Sequence, residues 1–436
     1  MRFTPNSDTV VQAMLDSIGL QNLEQLFDDI PAQVQMQRPL DLPGEMSEME
    51  LHSLLTGLAG KNKPAAEHPC FLGAGAYDSY IPAALDQLLL RSEFYTSYTP
   101  YQPEISQGIL QGIFEYQTMI CQLTELDVSN ASLYDGASAL AEACTLAAVH
   151  TRKKMVIVPE TVHPEYRQVL ETYAMSGYYE PVFVPCPHGI MDLEQVADLV
   201  KDQAAALVVQ HPNFFGHLEP MGSVADLIHQ AGGLLIMVVD PVSLAVLKPP
   251  GAWGADIAVG EGQPLGNTLS FGGPYLGFMA VTRQLMRKIP GRIVGQTTDV
   301  EGRPGFVLTL QAREQHIRRD KASSNICSNQ ALNAMAAAIY LTLLGPRGLK
   351  DTALRCHELA VYAQRQLEEA GFPLLYKQPF FREFVVETPD AAAINSRLLE
   401  QGIIGGLAVD QGMLLAFTEK RTRQDIDRLV AAFKGE

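Results

Sequence analysis

Apolar positions recur along this chain with different spacings, and each spacing marks a region. Over residues 7–60 the spacing is helical. Val11, Met14, Leu15 and Ile18 follow a cap at Asp8 and stop at Gly19, and Leu23, Leu26, Phe27 and Ile30 follow Asn22 and stop at Pro31. A third amphipathic helix is predicted over Met49–Leu58, and a helix after Gly108 carries Ile109, Ile113, Tyr116, Ile120 and Leu123 to about Glu125. From 155 to 281 the pattern changes to short apolar runs separated by helical stretches. Strands are predicted at Met155–Val158, Pro181–Val184, Ala206–Gln210, Leu234–Asp240, Asp256–Val259 and Leu276–Val281. Helices fall between them at His163–Met175, Asp192–Lys201 and Val224–Ala231. This alternation predicts a mostly parallel, doubly wound α/β sheet.

Past Arg283 the pattern becomes charged and glycine-rich until a long Ala/Leu helix that stops at Leu344-Gly345-Pro346. Helices over 351–370, 390–402 and 423–434, with strands near Leu374–Tyr376, Phe381–Glu387 and Leu414–Phe417, predict a small C-terminal α+β domain. The expected division is a helical arm or interface segment at 1–70, a large α/β domain at 71–325 and the small domain at 326–436.

Composition narrows the class. The chain has 436 residues, 47% of them hydrophobic, enough for a large core. No apolar run has transmembrane length, and Met-Arg-Phe-Thr-Pro-Asn-Ser-Asp lacks the apolar core of a signal peptide. Six cysteines without a Cys-x-x-Cys pair fit reduced thiols, and a net charge of −17 argues against non-specific nucleic-acid binding. The expectation is a cytoplasmic protein with no nucleic-acid, membrane or metal site.

Six stretches carry candidate chemistry. Gly251 to Gly277 holds eight glycines at the predicted carboxyl end of the sheet, where backbone can approach a flat or anionic ligand, or where a glycine-rich crossover runs. Tyr134-Asp-Gly-Ala-Ser138 opens an alanine-rich helix whose amides, with the Ser138 hydroxyl, suit a phosphate; ordinary capping by Asp135 or Ser138 explains it equally. Tyr95, Tyr98 and Tyr101, fixed by Pro100 and Pro103, are poor core material and good ligand- or interface-facing material, as is Phe71–Pro82. The basic stretch from Arg287 to Lys321, which includes Arg292, Arg303 and Arg313, suits an acidic substrate or partner, or a solvated connector. His211, in the loop His211-Pro-Asn-Phe-Phe-Gly216, is a stacking or donor group, or merely surface.

Leu234–Asp240 followed by Gly254-Ala-Asp256 resembles the core of fold-type-I pyridoxal-phosphate (PLP) enzymes. In those enzymes an Asp in the position of Asp240 pairs with the pyridinium nitrogen. Aligned on Gly-Ala-Asp, the positions of the family's His-Lys pair hold Gln263 and Pro264, which cannot form an imine. Ser97–Gly108, Glu115–Met119, Asn130–Ala137 and Ser324–Ala331 together resemble the P-protein family of the glycine cleavage system, in its N-terminal half or separate subunit 1 (alpha).

The resemblance implies a glycine dehydrogenase (decarboxylating) in which a partner, subunit 2 (beta), holds PLP, with the two chains forming an α2β2 assembly. Glycine loses CO2 there, and its aminomethyl group passes to the lipoyl arm of H-protein. It further implies that Tyr95, Tyr98, Thr99, Tyr101 and Glu104 reach the partner's site, while Ser138, Asp240, Gln263 and Pro264 mark a vestigial one. Two alternatives stand beside it: a scaffold that only stabilises the PLP subunit, and a self-sufficient PLP enzyme anchored on Lys248.

Overall fold

The computed structural model describes residues 6–36, 38–322 and 324–435; the Met-Arg-Phe-Thr-Pro start and Ser323, just before the Ser324–Ala331 motif, lie outside them. The chain divides into two units, Met1–Lys63 and Pro64–Glu436. In the first unit, helices form at Asp8–Ser17 and Glu48–Ala59, the second opened by a reciprocal Ser47–Glu50 capping box. Met14, Ile18, Leu54, Leu55 and Leu58 are exposed. The predicted helix at Leu23–Ile30 is only a short 3-10 turn, Glu24–Phe27. Asn22 does cap the Gln25 amide at 3.1 Å, but the Gln25 side chain returns to the Gln21 amide at 2.6 Å and closes the turn. Asp28 and Asp29 then stand where a helix C-terminus disfavours negative charge.

The second unit is built on a seven-stranded sheet. Its strands are β1 (Val128–Ser129), β2 (Met155–Pro159), β3 (Glu180–Val184), β4 (Ala204–Gln210), β5 (Leu234–Val238), β6 (Ile257–Glu261) and β7 (Gly277–Val281). The order is β1-β7-β6-β5-β4-β2-β3, with β7 antiparallel to β6 and to β1 and the remaining pairs parallel. Successive residues feed opposite faces: Leu207, Leu235 and Met237 join one buried cluster, and Val208, Ile236 and Val238 the other. That two-sided burial is why these strands read as continuous apolar runs. The Gly136–Thr151 helix is buried on nearly every face, which its run of small residues permits.

The charged stretch after Arg283 contains a hairpin that apolar patterning misses, β8 (Ile293–Thr298) paired with β9 (Pro304–Thr309). Its strands are mostly half-buried or exposed, so no clean alternation is needed there. The long helix Ala331–Glu369 breaks where predicted, at Gly345 with φ 61° before Pro346. A three-stranded antiparallel sheet follows, β10 (Glu383–Glu387), β11 (Leu407–Val409) and β12 (Gly412–Ala416), in the order β10-β12-β11. It packs with helices Ala391–Glu400 and Arg423–Lys434. Leu374–Tyr376 contributes an isolated bridge, Leu374 to Val386, rather than a strand; Pro373 and Pro379, without amide protons, bound it. Among the described residues no helix is long and apolar enough to cross a membrane.

Candidate functional site

The carboxyl ends of β4, β5 and β6 converge on a cavity of about 40 Å³, lined among others by Tyr77, His163, Asp240, Glu261 and Arg382. That volume takes two or three waters and no pyridoxal ring. The chain fills the remainder with its own side chains. Asp240, two residues past the end of β5, meets the Arg382 guanidinium at 2.7 Å. Arg382 is buried, and its guanidinium lies 3.6 Å from the Tyr77 ring centroid. Burial is the largest effect and opposes its charge, but Asp240 together with Tyr77, Cys356 and Glu383 outweighs it and holds the guanidinium's pKa above the ordinary value. The Tyr77 hydroxyl donates to Glu383 at 2.6 Å, and the other Glu383 oxygen accepts from the Ala74 amide at 2.7 Å. Burial pushes both Tyr77 and Glu383 upward.

The helix terminus expected to suit a phosphate is also occupied. The Gly136 amide donates to the Glu261 carboxylate at 3.1 Å, and Glu261 also accepts from the Gln263 and Leu276 amides at 3.0 and 2.8 Å. A carboxylate thus takes the place at the positive end of the helix. Burial raises Glu261 to about 7, against these three amides, which pull it down. The Ser138 hydroxyl is spent on a capping box with Asp135, so the capping explanation of that motif holds.

Gln263 is fully buried and clasps Tyr77: it accepts from the Tyr77 amide at 2.8 Å and donates to the Tyr77 carbonyl at 3.0 Å, with Pro264 buried beside it. Several of the glycines, Gly251, Gly260 and Gly277 among them, approach backbone rather than open space for a ligand. A Cβ on Gly260 would meet the Val239 carbonyl oxygen, and one on Gly277 that of Asp135. Lys248 is exposed over Trp253, 3.9 Å from the ring centroid, and does not line the cavity. PLP therefore does not fit this site: its ring volume, phosphate terminus, pyridinium partner and anchoring amine are each filled, paired or missing.

Two other expectations change. His211 is buried, not surface; its Nδ1 accepts from the Glu219 amide at 3.1 Å, and burial lowers its pKa to about 4. In Phe71–Pro82, Tyr77 and Asp78 are interior staples. Asp78 holds Lys420 at 2.5 Å and Arg421 at 2.9 Å. Apolar patterning does not single out Arg382, Glu383 or Glu261, although Arg382-Glu383 inside the apolar run Phe381–Glu387 is a usable signal: charges in a buried strand have partners.

The tyrosine-rich loop has the opposite character. Tyr95, Tyr98 and Tyr101 are 58, 85 and 50% exposed, Glu104 is exposed and Thr99 half-buried. Behind this loop, all four of the motifs singled out above meet one short segment, residues 290–294. Gln117 bonds both backbone groups of Val294 at 2.9 Å. Asn130 donates to the Pro290 carbonyl at 2.9 Å, and the Ala131 amide to that of Arg292 at 2.8 Å. The Arg292 guanidinium donates to Asn329 at 3.2 Å and to the Tyr101 hydroxyl at 3.3 Å. Asn329 is in turn fixed on Ser132 at 2.9 Å. Arg292 itself belongs to none of the four motifs.

Comparison with known proteins agrees with the chain's own pattern. A family model described as glycine cleavage system P-protein matches residues 1–433. A probable glycine dehydrogenase (decarboxylating) subunit 1 of Syntrophomonas wolfei is 61% identical over 436 residues, covering all of both chains. The correspondingly described protein of Carboxydothermus hydrogenoformans is 54% identical over 443 residues, again covering both chains in full. A crystal structure of glycine decarboxylase (P-protein) of the glycine cleavage system, in inhibitor-bound form, superposes with a TM-score of 0.91 at 44% identity and full coverage of both. An alanine–glyoxylate aminotransferase of Nostoc sp. shares the fold, with a TM-score of 0.60 at 16% identity over 93% of this chain and 98% of that one.

Proposed function

Because this chain belongs to the glycine cleavage system P-protein family, we propose that it is the subunit of a glycine dehydrogenase (decarboxylating) that completes a cofactor site held by another chain. The observation that carries this is the Arg382–Asp240 pair at 2.7 Å. The carboxylate that would serve a pyridinium is already neutralised by a buried guanidinium of the same chain. A partner that bears PLP, subunit 2, supplies the electron sink for loss of CO2 from glycine. This chain supplies orientation and exclusion of water through the loop Tyr95–Glu104, whose side chains point out of its own core.

Tyr95, Tyr98, Thr99, Tyr101 and Glu104 are the residues we assign to the shared site. The same aromatic surface suits the dithiolane of the lipoyl arm on H-protein, which accepts the aminomethyl group. An α2β2 assembly in the cytoplasm is the corresponding arrangement.

The test is borohydride reduction of each chain in the presence of PLP, followed by peptide mapping, with 14CO2 release from glycine measured for each chain and for the mixture. This chain is expected to carry no pyridoxyl label, the partner one label, and only the mixture to release CO2. A pyridoxyl group on Lys248 or any other lysine of this chain overturns the reading.

A further inference from the structure

We infer that Arg292 is an oxyanion receptor, presented by this chain to a carboxylate or phosphate monoester bound in the site it shares with its partner. The inference rests on the shared-site reading above and adds to it the residue and the ligand chemistry.

Arg292 is 5% exposed, yet among the described residues no carboxylate lies within ion-pair distance of it, and its Nε has no hydrogen-bond partner. Its contacts are neutral: Asn329, the Tyr101 hydroxyl, and the Tyr101 ring with its centroid 5.5 Å away. A buried guanidinium whose only partners are neutral is unusual in a chain with 49 acidic and 32 basic residues, because buried charges are ordinarily paired with an opposite charge. Arg382, equally buried, does have its Asp240.

A second guanidinium sharpens the point. Arg313 donates to the Gly291 carbonyl at 2.6 Å, one residue before Arg292, and among the described residues it forms no ion pair, with Glu314 acting on it only at longer range. Its own Nε is unpartnered, and burial lowers its pKa. Arg292 and Arg313 thus both act on the Gly291–Arg292 segment behind half-exposed Tyr101, and neither forms an ion pair among the described residues. Tyr101 and Asn329 are positioning residues here: they fix the plane of a group that offers a carboxylate or a phosphate a two-pronged contact.

The oxyanion has two available sources, glycine's carboxylate and the phosphate of the partner's cofactor. They are separable because the carboxylate leaves as neutral CO2. A guanidinium on the substrate carboxylate stabilises the ground state, so its loss raises KM without lowering kcat. A guanidinium on the phosphate anchors the cofactor, so its loss lowers cofactor retention instead.

The experiment uses the assembled two-chain enzyme with R292Q, R292K and N329S. Assembly is checked by sizing and thermal melting, the PLP dissociation constant by absorbance after dialysis, and glycine KM and kcat separately. For R292Q the expected result is an increase of about 10- to 100-fold in either the PLP dissociation constant or glycine KM, with R292K and N329S intermediate on the same constant. If R292Q does not assemble, R292K and N329S are read on those constants alone. Both constants within twofold of the parent in any assembled set overturn the proposal. Full turnover by the partner alone, without this chain, would instead overturn the shared-site reading, whatever the Arg292 variants show.

Discussion

Two polar regions of this molecule are built from the same kinds of residue and face opposite ways. At the carboxyl end of the sheet, Asp240 has Arg382, Glu261 has three amides, Glu383 has Tyr77 and Ala74, and Gln263 has both backbone groups of Tyr77. Around Tyr101 a guanidinium is held only by neutral groups, and the neighbouring phenols are exposed. In the first region the buried guanidinium is paired with a carboxylate of the same chain, although its nitrogens make no hydrogen bond among the described residues; in the second the guanidinium has no paired charge. A polar network that satisfies itself holds a fold together, whereas one left short of a charge is shaped for something else. In the first region Arg382 and Glu383 come from the small C-terminal sheet, and Asp240, Gln263 and Tyr77 from the sheet ends and the loop above them. The contacts where a cofactor would sit therefore tie the small C-terminal sheet to the seven-stranded sheet.

If that contrast is real, substitutions in the inward region change stability and those in the outward region change turnover. The largest effect is expected at Arg382. Replacing it with Met strands a buried Asp240 carboxylate, and the loss should be about 3–5 kcal/mol in the urea unfolding of this chain alone. Removing both charges with D240N/R382M should recover most of it, since an apolar or neutral pair of similar volume avoids the stranded charge. Equal stability of R382M and the parent would break the comparison, because the pair would then not be a structural device.

Next in size is Glu261, whose pKa is raised from 4.5 to about 7 by burial, despite its three amide donors. The folded chain therefore binds this proton more tightly than the unfolded chain. Its contribution is fully present below about pH 4.5 and is lost as the pH rises through about 7, a change of about 3 kcal/mol. The E261Q variant has no such proton to lose. Its stability relative to the parent should climb between pH 4.5 and 7.5 by that amount, measured as paired unfolding curves, with other titrating groups common to both. A difference that stays flat across this window would mean that Glu261 is ionised throughout, as a true phosphate surrogate.

Much of the inward region was legible in the sequence, but not its completion. The apolar runs ending at Asp240 and Val259 located the sheet ends, and the absence of a lysine at Gln263 indicated that no imine forms there. What filled the space was invisible, because Arg382 lies far along the chain and its pairing with Asp240 depends on how the small sheet docks. The outward region was found by composition, since three phenols between prolines have no use in a core. Arg292 was only one basic residue in a charged stretch, indistinguishable there from exposed Arg303. Its importance lies in which motifs converge on it. The hairpin β8–β9 was missed for a related reason: half-exposed strands lack the burial that imposes a period.

The smallest effect on the isolated chain, and the sharpest test of the outward region, is expected at Tyr98. It is 85% exposed, and among the described residues its hydroxyl makes no hydrogen bond. Inside this chain the oxygen therefore does nothing, and Tyr98→Phe should leave unfolding within about 0.5 kcal/mol of the parent. In the assembled enzyme the hydroxyl lies on the surface assigned to the shared site, where loss of one hydrogen bond corresponds to about a 3- to 10-fold fall in kcat/KM for glycine. The pairing of those two results is what separates a contributing loop from a scaffold. A scaffold tyrosine buried against the partner would change the dissociation of the two chains and spare turnover at saturating partner. If Tyr98→Phe leaves kcat/KM untouched and only loosens assembly, the loop is an adhesive surface and the shared chemistry must come from Tyr101 and the arginine behind it.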